Sequence, residues 1–378
     1  MKRNPLLAIQ SFGQSIWLDS LSRGMLRSGE LQQLIEEDGL RGVTSNPAIF
    51  DKAIAGSDDY DEAIRALALE GKGTSEIYKA LVVEDIANAA DLLRPVYDRS
   101  EGRYGFVSLE VSPHLAYDTS ATIAEARRLW AAVNRPNVFI KVPATQQGLP
   151  AIQQLTSHGV NVNITLLFSL NRYREVAEAY VSGMEARAAL GHRLNGVTSV
   201  ASFFLSRIDV LVDSLLEGIL QTGGAGAKMA ASLRGQVAIA SAKVAYQIYK
   251  EVFASERFRR LVAQGARTQQ LLWASTGTKD PAYSDVKYVE PLIGADTVNT
   301  MPLETLNAYR HHGDPAVRLE EGIEEAYHVL DLLPKVGIDL EAVTRQLEEE
   351  GVQKFVMPFD QLMTTVEERR ALILRSKP

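Results

Sequence analysis

The chain has 378 residues, 46% of them hydrophobic, a formal net charge of -7 and no cysteine. Disulfides, thiolate metal sites and cysteine nucleophiles are therefore excluded, and the acidic balance argues against nucleic acid as the main partner, though a few local cations suffice to hold a phosphate. No run approaches about 18 uninterrupted apolar residues, so no membrane span is expected; the start, Met1-Lys-Arg-Asn-Pro-Leu-Leu7, lacks the marks of a secretory signal, and the simplest compartment is the cytoplasm.

Short runs of strand-forming residues alternate with longer helical ones. The first strand is Ser15-Ile-Trp-Leu-Asp19, followed by a polar, helix-competent segment through Glu37. The second is Gly42-Val-Thr44, ending in Ser45-Asn46-Pro47. A helical insertion rich in alanine, leucine and i,i+4 charge pairs occupies about 48–100. The third strand spans 106–111, and its helix starts from an N-cap at Thr119 or Ser120 and runs through Ala132. The fourth lies in Asn137-Val-Phe-Ile-Lys-Val-Pro143, stopped by the proline. A short helix at 148–155, a fifth strand at 160–167 and a helix at about 170–190 come next. The sixth strand, 197–202, leads into a helix at 207–216; Gly223-Gly-Ala-Gly-Ala227 reads as a loop, and one helix is expected over about 229–264. The seventh and eighth strands are 270–274 and 295–299. The tail, 314–378, reads helical and charged, broken near Pro358.

Eight strands, most followed by a helix, fit an α/β fold of the closed (β/α)8 TIM-barrel type with additional helices better than an open doubly wound sheet. An open sheet usually carries a glycine-rich turn after an early strand, and neither GxGxxG nor GxxxxGK[ST] occurs. No internal repeat or long linker marks a second domain. Residues 1–378 therefore read as a single barrel domain with helical insertions at about 48–100 and 215–265 and a helical tail at 314–378. No long apolar stripe on the outer helices points to a partner, so monomer and homodimer are both open.

Lys141 organises the functional reading. On an alternating strand, Asn137, Phe139 and Lys141 share one face, and Val138, Ile140 and Val142 share the other. A strand apolar on both faces belongs in a parallel sheet covered by helices, which buries Lys141 unless its amine reaches water at the strand end. A buried ammonium tends to lose its proton and become nucleophilic. Active sites of such barrels sit at the C-terminal ends of the strands. Standing there are Asp19, Asn46, Glu110, Lys141, Thr165 with Asn163 two residues earlier, Ser202, Ser275, and Asn299 or Thr300. Ser108 and Glu110 alternate with apolar residues on the third strand, as Asn161, Asn163 and Thr165 do on the fifth, leaving one polar face for the lumen. Taken singly, these are ordinary helix caps, turn residues and strand-end polar groups. Together at one end of consecutive strands they suit amine–carbonyl chemistry, in which a neutral amine attacks a ketone while acids and bases shuttle protons. The six histidines show no HxH or HExxH spacing, so no metal site is expected.

Gly42-Val-Thr-Ser-Asn-Pro47, Asn137-Val-Phe-Ile-Lys-Val-Pro-Ala-Thr145 and Val162-Asn-Ile-Thr-Leu-Leu-Phe-Ser169 resemble the signatures of transaldolases. So do Val200-Ala-Ser-Phe-Phe-Leu-Ser-Arg-Ile-Asp209 and the segment around Trp273-Ala-Ser275. The likeness runs from about Ile16 to Thr300 in the family's order, and the chain's size is similar to the longer bacterial subgroup. The resemblance implies a cofactor-free class I mechanism that transfers a dihydroxyacetone unit between phosphosugars in the pentose phosphate pathway. It matches Lys141 to the Schiff-base lysine and Glu110 to the acid that relays protons with Thr165 and a water. Asp19 matches the group that exchanges a proton with the substrate's C4 hydroxyl. Asn46, Asn163 and Ser202 would hold the dihydroxyacetone hydroxyls, and Arg207 and Ser275 the phosphate. The family's second phosphate arginine has no plain match: after Ser275 the chain reads Thr276-Gly-Thr-Lys-Asp280, so Lys279 is the nearest cation, a point charge rather than a bidentate fork. Two rival readings are a related Schiff-base aldolase that releases free dihydroxyacetone and a non-catalytic barrel that binds sugar phosphates. Phe355-Val-Met-Pro-Phe359 is expected to pack against the barrel, with closure over its mouth as the alternative.

Overall fold

Eight parallel strands close into a barrel in sequence order in the computed structural model, which describes residues 4–223 and 226–375. They are β1 (Gln14–Leu18), β2 (Gly42–Thr44), β3 (Phe106–Glu110), β4 (Val138–Pro143), β5 (Val162–Leu167), β6 (Ser199–Phe204), β7 (Gln269–Ala274) and β8 (Thr297–Met301). β8 pairs back onto β1 from Gln14↔Thr297 to Leu18↔Met301, which leaves no sheet edge. The architecture is the expected (β/α)8 barrel with additional helices. All eight strands come within a few residues of their expected positions, but β6 and β8 each end two residues later. Among the described residues, no helix is long and apolar enough to cross a membrane.

The contents of the lumen decide where the cavity can be. Trp17, Phe139 and Phe106 share strand faces with Asp19, Lys141 and Glu110 but lie deeper. The rings of Phe106 and Phe139 are 4.5 Å apart, and Trp17 stacks on both at 6.5 and 6.0 Å. This aromatic floor fills the lower barrel. It has room because Gly42, in register between Trp17 and Phe106, carries no side chain: a Cβ there would lie 2.4 Å from the indole ring. Above the floor, polar residues replace apolar ones.

The helices differ from expectation in four places. The helix Thr119–Val133 is capped by Asp118, whose carboxylate accepts from Ala121 N at 2.9 Å; Thr119 instead donates to the carbonyl of Gln147. The single helix expected over 229–264 is three: Ala227–Leu233, Val237–Phe253 and Glu256–Val262. Gly235, at φ +66°, makes the first break, and Ser255, capping Phe258 N, makes the second. Gly223, also left-handed, ends the helix Ser206–Thr222, while Gly224 and Ala225 of the expected loop lie outside the described residues. Pro358 does not break the tail, because the helix Leu340–Arg375 runs through it. A mid-helix proline removes one backbone hydrogen bond, and here packing on both sides holds the helix together: Phe355, Leu362 and Val366 are buried. This helix lies against Pro47–Ala55, Asp61–Leu69 and Thr74–Arg99, the three helices of the first insertion.

The loop after β1, which carries Asp19, is fixed from the same side. Arg23, buried, donates from Nε to Asp85 Oδ1 at 2.9 Å and from Nη2 to Glu84 Oε2 at 2.6 Å, and Tyr60 donates to Asp85 Oδ2 at 2.8 Å. Removing one partner of such a buried pair strands a charge. Arg23→Met should therefore destabilise the protein by about 3–5 kcal/mol, read from the urea midpoint. Gly42→Ala should cost about 1–3 kcal/mol by overpacking, and adding Trp17→Leu should recover part of that loss if the indole is what the new methyl meets.

Candidate active site

At the C-terminal ends of the strands the lumen opens into a cavity of about 190 Å³. Strand register builds its core. Glu110 on β3 pairs with Lys141 on β4, and Lys141 and Pro143 pair with Asn163 and Thr165 on β5. Lys141 is 4% exposed and lines the cavity; Glu110, beside it, is 7% exposed. The amine Nζ lies 3.2 Å from Glu110 Oε2 and donates to the carbonyl oxygen of Ser45 at 3.0 Å. Burial pushes the Glu110 carboxyl up from the ordinary glutamate range, against the pull of Lys141.

Asp19 lines the same cavity as the amine. Its Oδ1 accepts from Thr44 Oγ1 at 2.6 Å, and Thr300 Oγ1 lies 2.7 Å from the same threonine. Burial raises the Asp19 carboxyl as well, opposed by the Thr44 hydrogen bond and by the charges of Lys141, Arg207 and Lys279. Two carboxyls that hold protons more tightly than usual thus share the site with one amine. Glu110 Oε1 and Thr165 Oγ1 are buried without a hydrogen-bond partner among the described residues, so both can serve a ligand or a water.

The candidates for a substrate's hydroxyl groups divide by depth. Ser202 lines the cavity. Asn163 lies beneath it, its carboxamide committed at both ends: Nδ2 donates to Ser108 Oγ at 3.0 Å, and Oδ1 accepts from Ser202 Oγ at 2.7 Å. Asn46 is a helix cap in extended backbone rather than a turn residue, and it faces the cavity too. Its Oδ1 caps the helix Pro47–Ala55 by accepting from Ile49 N at 3.0 Å, which leaves the amide nitrogen outside the cap.

The opposite wall is cationic. Arg207 sits in the first turn of the helix Ser206–Thr222, where unpaired backbone N–H groups favour an anion. Its Nη1 is buried and unpartnered among the described residues. Ser275, at φ +54°, places its hydroxyl 2.8 Å from Ser206 Oγ, and its carbonyl accepts from Ser206 N at 3.1 Å. A left-handed serine is uncommon, and here the turn brings the end of β7 to the helix N-terminus. Lys279 is exposed at the rim, yet a Cβ at Gly277 would stand 3.7 Å from its Nζ, so the amine reaches back over the cavity wall.

The structure thus gathers Asp19, Asn46, Lys141, Thr165, Ser202, Arg207, Ser275 and Lys279 around one cavity, with Glu110 and Asn163 immediately behind. Of the two candidates at the end of β8, Thr300 lines the cavity, while Asn299 donates to the carbonyl of Tyr288. Thr44 and Phe204 also line it and were not singled out from the sequence, and Phe355 lines it from the segment read as packing against the barrel or closing over its mouth. Thr44 had a signal, as the last residue of its strand. Phe204 was hidden by placing the end of β6 at Ser202. Phe355 comes from a distant helix; it is buried and its ring reaches the mouth of the barrel.

Comparison with known proteins shows the family. Residues 16–366 match the sequence model of the family described as Transaldolase/Fructose-6-phosphate aldolase. Transaldolase 2 of Nostoc sp. (strain PCC 7120 / SAG 25.82 / UTEX 2576) is 49% identical over 378 residues, covering 99% of this chain and 99% of that protein. The transaldolase of Thiobacillus denitrificans is 49% identical across 95% of this chain and 98% of its own length. That of Saccharopolyspora erythraea is 48% identical across 96% and 97%. The chain belongs to the transaldolase/fructose-6-phosphate aldolase family.

Proposed function

We propose that the protein is a transaldolase of the pentose phosphate pathway. It interconverts sedoheptulose 7-phosphate and glyceraldehyde 3-phosphate with erythrose 4-phosphate and fructose 6-phosphate. One observation carries the reading: a buried amine, Lys141 Nζ, stands 3.2 Å from a carboxyl and on the wall of a cavity that also holds Asp19, Thr165 and Arg207. Lys141 attacks the ketone carbon of a ketose phosphate. Glu110, through a water shared with Thr165, protonates the carbinolamine hydroxyl, which leaves as water as the imine forms. Asp19 takes the C4 hydroxyl proton, the C3–C4 bond breaks, and its electron pair flows into the protonated imine. The aldose phosphate departs and another takes its place, and the steps reverse to form the new bond.

Asn46 and Ser202 hold the hydroxyls of the three-carbon unit, and Asn163 orients Ser202 from below. Arg207, Ser275 and Lys279 hold the phosphate, with Lys279 supplying a point charge where a second guanidinium would give a fork. The helical additions belong to the same domain as the barrel. A role in the cytoplasm away from membranes is part of the same reading, and the net charge of -7 supports a partner other than nucleic acid.

Borohydride with fructose 6-phosphate should add a three-carbon unit to Lys141, and Lys141→Ala should take up none; mass spectrometry of the labelled peptide decides this. Labelling at another lysine would sink the reading. A slow rate without erythrose 4-phosphate and a fast one with it separates transfer from simple cleavage. Asp19→Asn should lower kcat by about 10²–10⁴. The same variant should be more stable than the parent at neutral pH. The folded Asp19 holds its proton more tightly than an unfolded aspartate, so parent stability falls as pH rises from the ordinary aspartate range, about 4, through the raised folded value. The gap in melting temperature should open over that window and vanish below it. Lys279→Met should raise KM for phosphosugars by about tenfold, with kcat little changed and Lys279→Arg retaining affinity.

A further inference from the structure

We propose that Phe355, on the C-terminal helix Leu340–Arg375, is a specificity-determining residue. Its ring keeps water from the enamine carbon of the unit held on Lys141, hinders protonation there, and so favours transfer of the three-carbon unit over its hydrolytic release. The proposal rests on the catalytic reading above. Phe355 is 4% exposed, and its ring centroid lies 5.8 Å from Lys141 Nζ and 5.8 Å from Arg207 Cζ. Every other residue lining the cavity comes from a strand or from the segment just after one; Phe355 alone among the described residues arrives from the tail.

The way this helix is seated ties it to the catalytic strand. One turn before Phe355, a Cβ at Gly351 would lie 3.0 Å from Leu166 Cδ2, so the helix rides close over that leucine. Leu166 directly follows Thr165, is buried, and adopts φ +56° where the β5–β6 register shifts. A left-handed leucine stores backbone strain and persists only where surrounding structure demands it. Here the strained turn carries the leucine side chain to Gly351, and the contact brings Phe355 to the cavity. Beyond Phe355 the Phe359 ring stands edge-on to Tyr78 at 5.4 Å, and Leu362 and Val366 are fully buried, so the helix is clamped on both sides of its aromatic residue.

The chemistry gives this wall a consequence. After C3–C4 cleavage the enamine on Lys141 has two fates. It can add to an acceptor aldehyde, forming a carbon–carbon bond. Otherwise the enamine carbon takes a proton, water adds to the resulting iminium carbon, and the C–N bond breaks to return the amine and free dihydroxyacetone. Both fates end with water adding at the carbon bound to nitrogen to free the product; only the second begins with protonation of the enamine carbon, and an apolar ring beside the amine removes directions from which water can deliver that proton.

Phe355→Ala and Phe355→Leu test this. For each, the rate of transfer from fructose 6-phosphate to erythrose 4-phosphate is compared with the rate of dihydroxyacetone release without acceptor. Borohydride labelling of Lys141 confirms that the site is formed. The release-to-transfer ratio should rise by about tenfold in Phe355→Ala and by less in Phe355→Leu, if the wall contributes on the scale of one well-placed interaction. Should the alanine variant fail to fold, the leucine variant decides. An unchanged ratio in labelled protein, including a parallel fall in both rates, overturns the proposal and leaves only a packing role. Failure of the parent protein to label at Lys141 would instead remove the catalytic reading on which the proposal stands.

Discussion

The pair formed by Lys141 and Glu110 is the constraint around which the rest of the site is built. Both side chains are almost wholly buried, and taking charges out of water is costly unless each meets a partner. The two lie opposite one another on hydrogen-bonded neighbouring strands, so their separation is set by sheet register rather than by side-chain flexibility. The third contact, Ser45 carbonyl to Nζ, is also backbone-defined, and Ser45 is itself tied to β3 through its hydroxyl and the carbonyl of Ser108. A closed barrel cannot splay to admit water beneath such a pair. The aromatic floor of Trp17, Phe106 and Phe139 blocks the lower route. The amine is therefore approachable from one direction, the cavity where a ketone would enter.

Around that amine the charges come from different strands: Asp19 and Glu110 from β1 and β3, Arg207 and Lys279 from the segments after β6 and β7. A substrate with a carbonyl at one end and a phosphate at the other fits this polarity in one orientation. The acidic net charge of the chain does not contradict a local anion site, since the field inside a cleft depends on its own lining. The arrangement also carries a stability penalty. Two carboxyls raised by burial oppose folding once they ionise. The buried network of Arg23, Asp85 and Tyr60 helps hold the Asp19 loop against that tendency.

Much of this was legible in the sequence because alternation and strand ends are local properties. Lys141 on a face with Phe139, and Glu110 on a face with Ser108, follow from a period of two, and parallel pairing then brings the two strands' ends together. Strand ends were harder where aromatic residues continue a run: Phe203 and Phe204 extend β6 past Ser202, and that extension moves a ring into the cavity. Depth was not legible at all. Nothing in Val162-Asn-Ile-Thr165 says that Asn163 lies under Ser202 while Thr165 reaches the cavity, because the shear of the closed sheet decides it. Pro358 misled for the opposite reason. Its local penalty is real, but packing around Phe355, Leu362 and Val366 outweighs one missing hydrogen bond.

The tail shows why such a helix is worth its proline. A barrel whose site opens at one end has to be covered there by something that does not belong to the strands, and the helical additions of this chain supply it. The first insertion stands as a buttress of three helices, the tail helix lies across them, and Gly351 lets it settle onto Leu166. Had the helix ended before Pro358, Phe355 would sit at a frayed terminus rather than between two anchored segments, and its ring would have no fixed place above the amine. The strained backbone at Leu166 and the proline within the helix are thus two local violations with one compensation. Each is unfavourable alone, and both are held by the packing that sets an apolar wall beside Lys141.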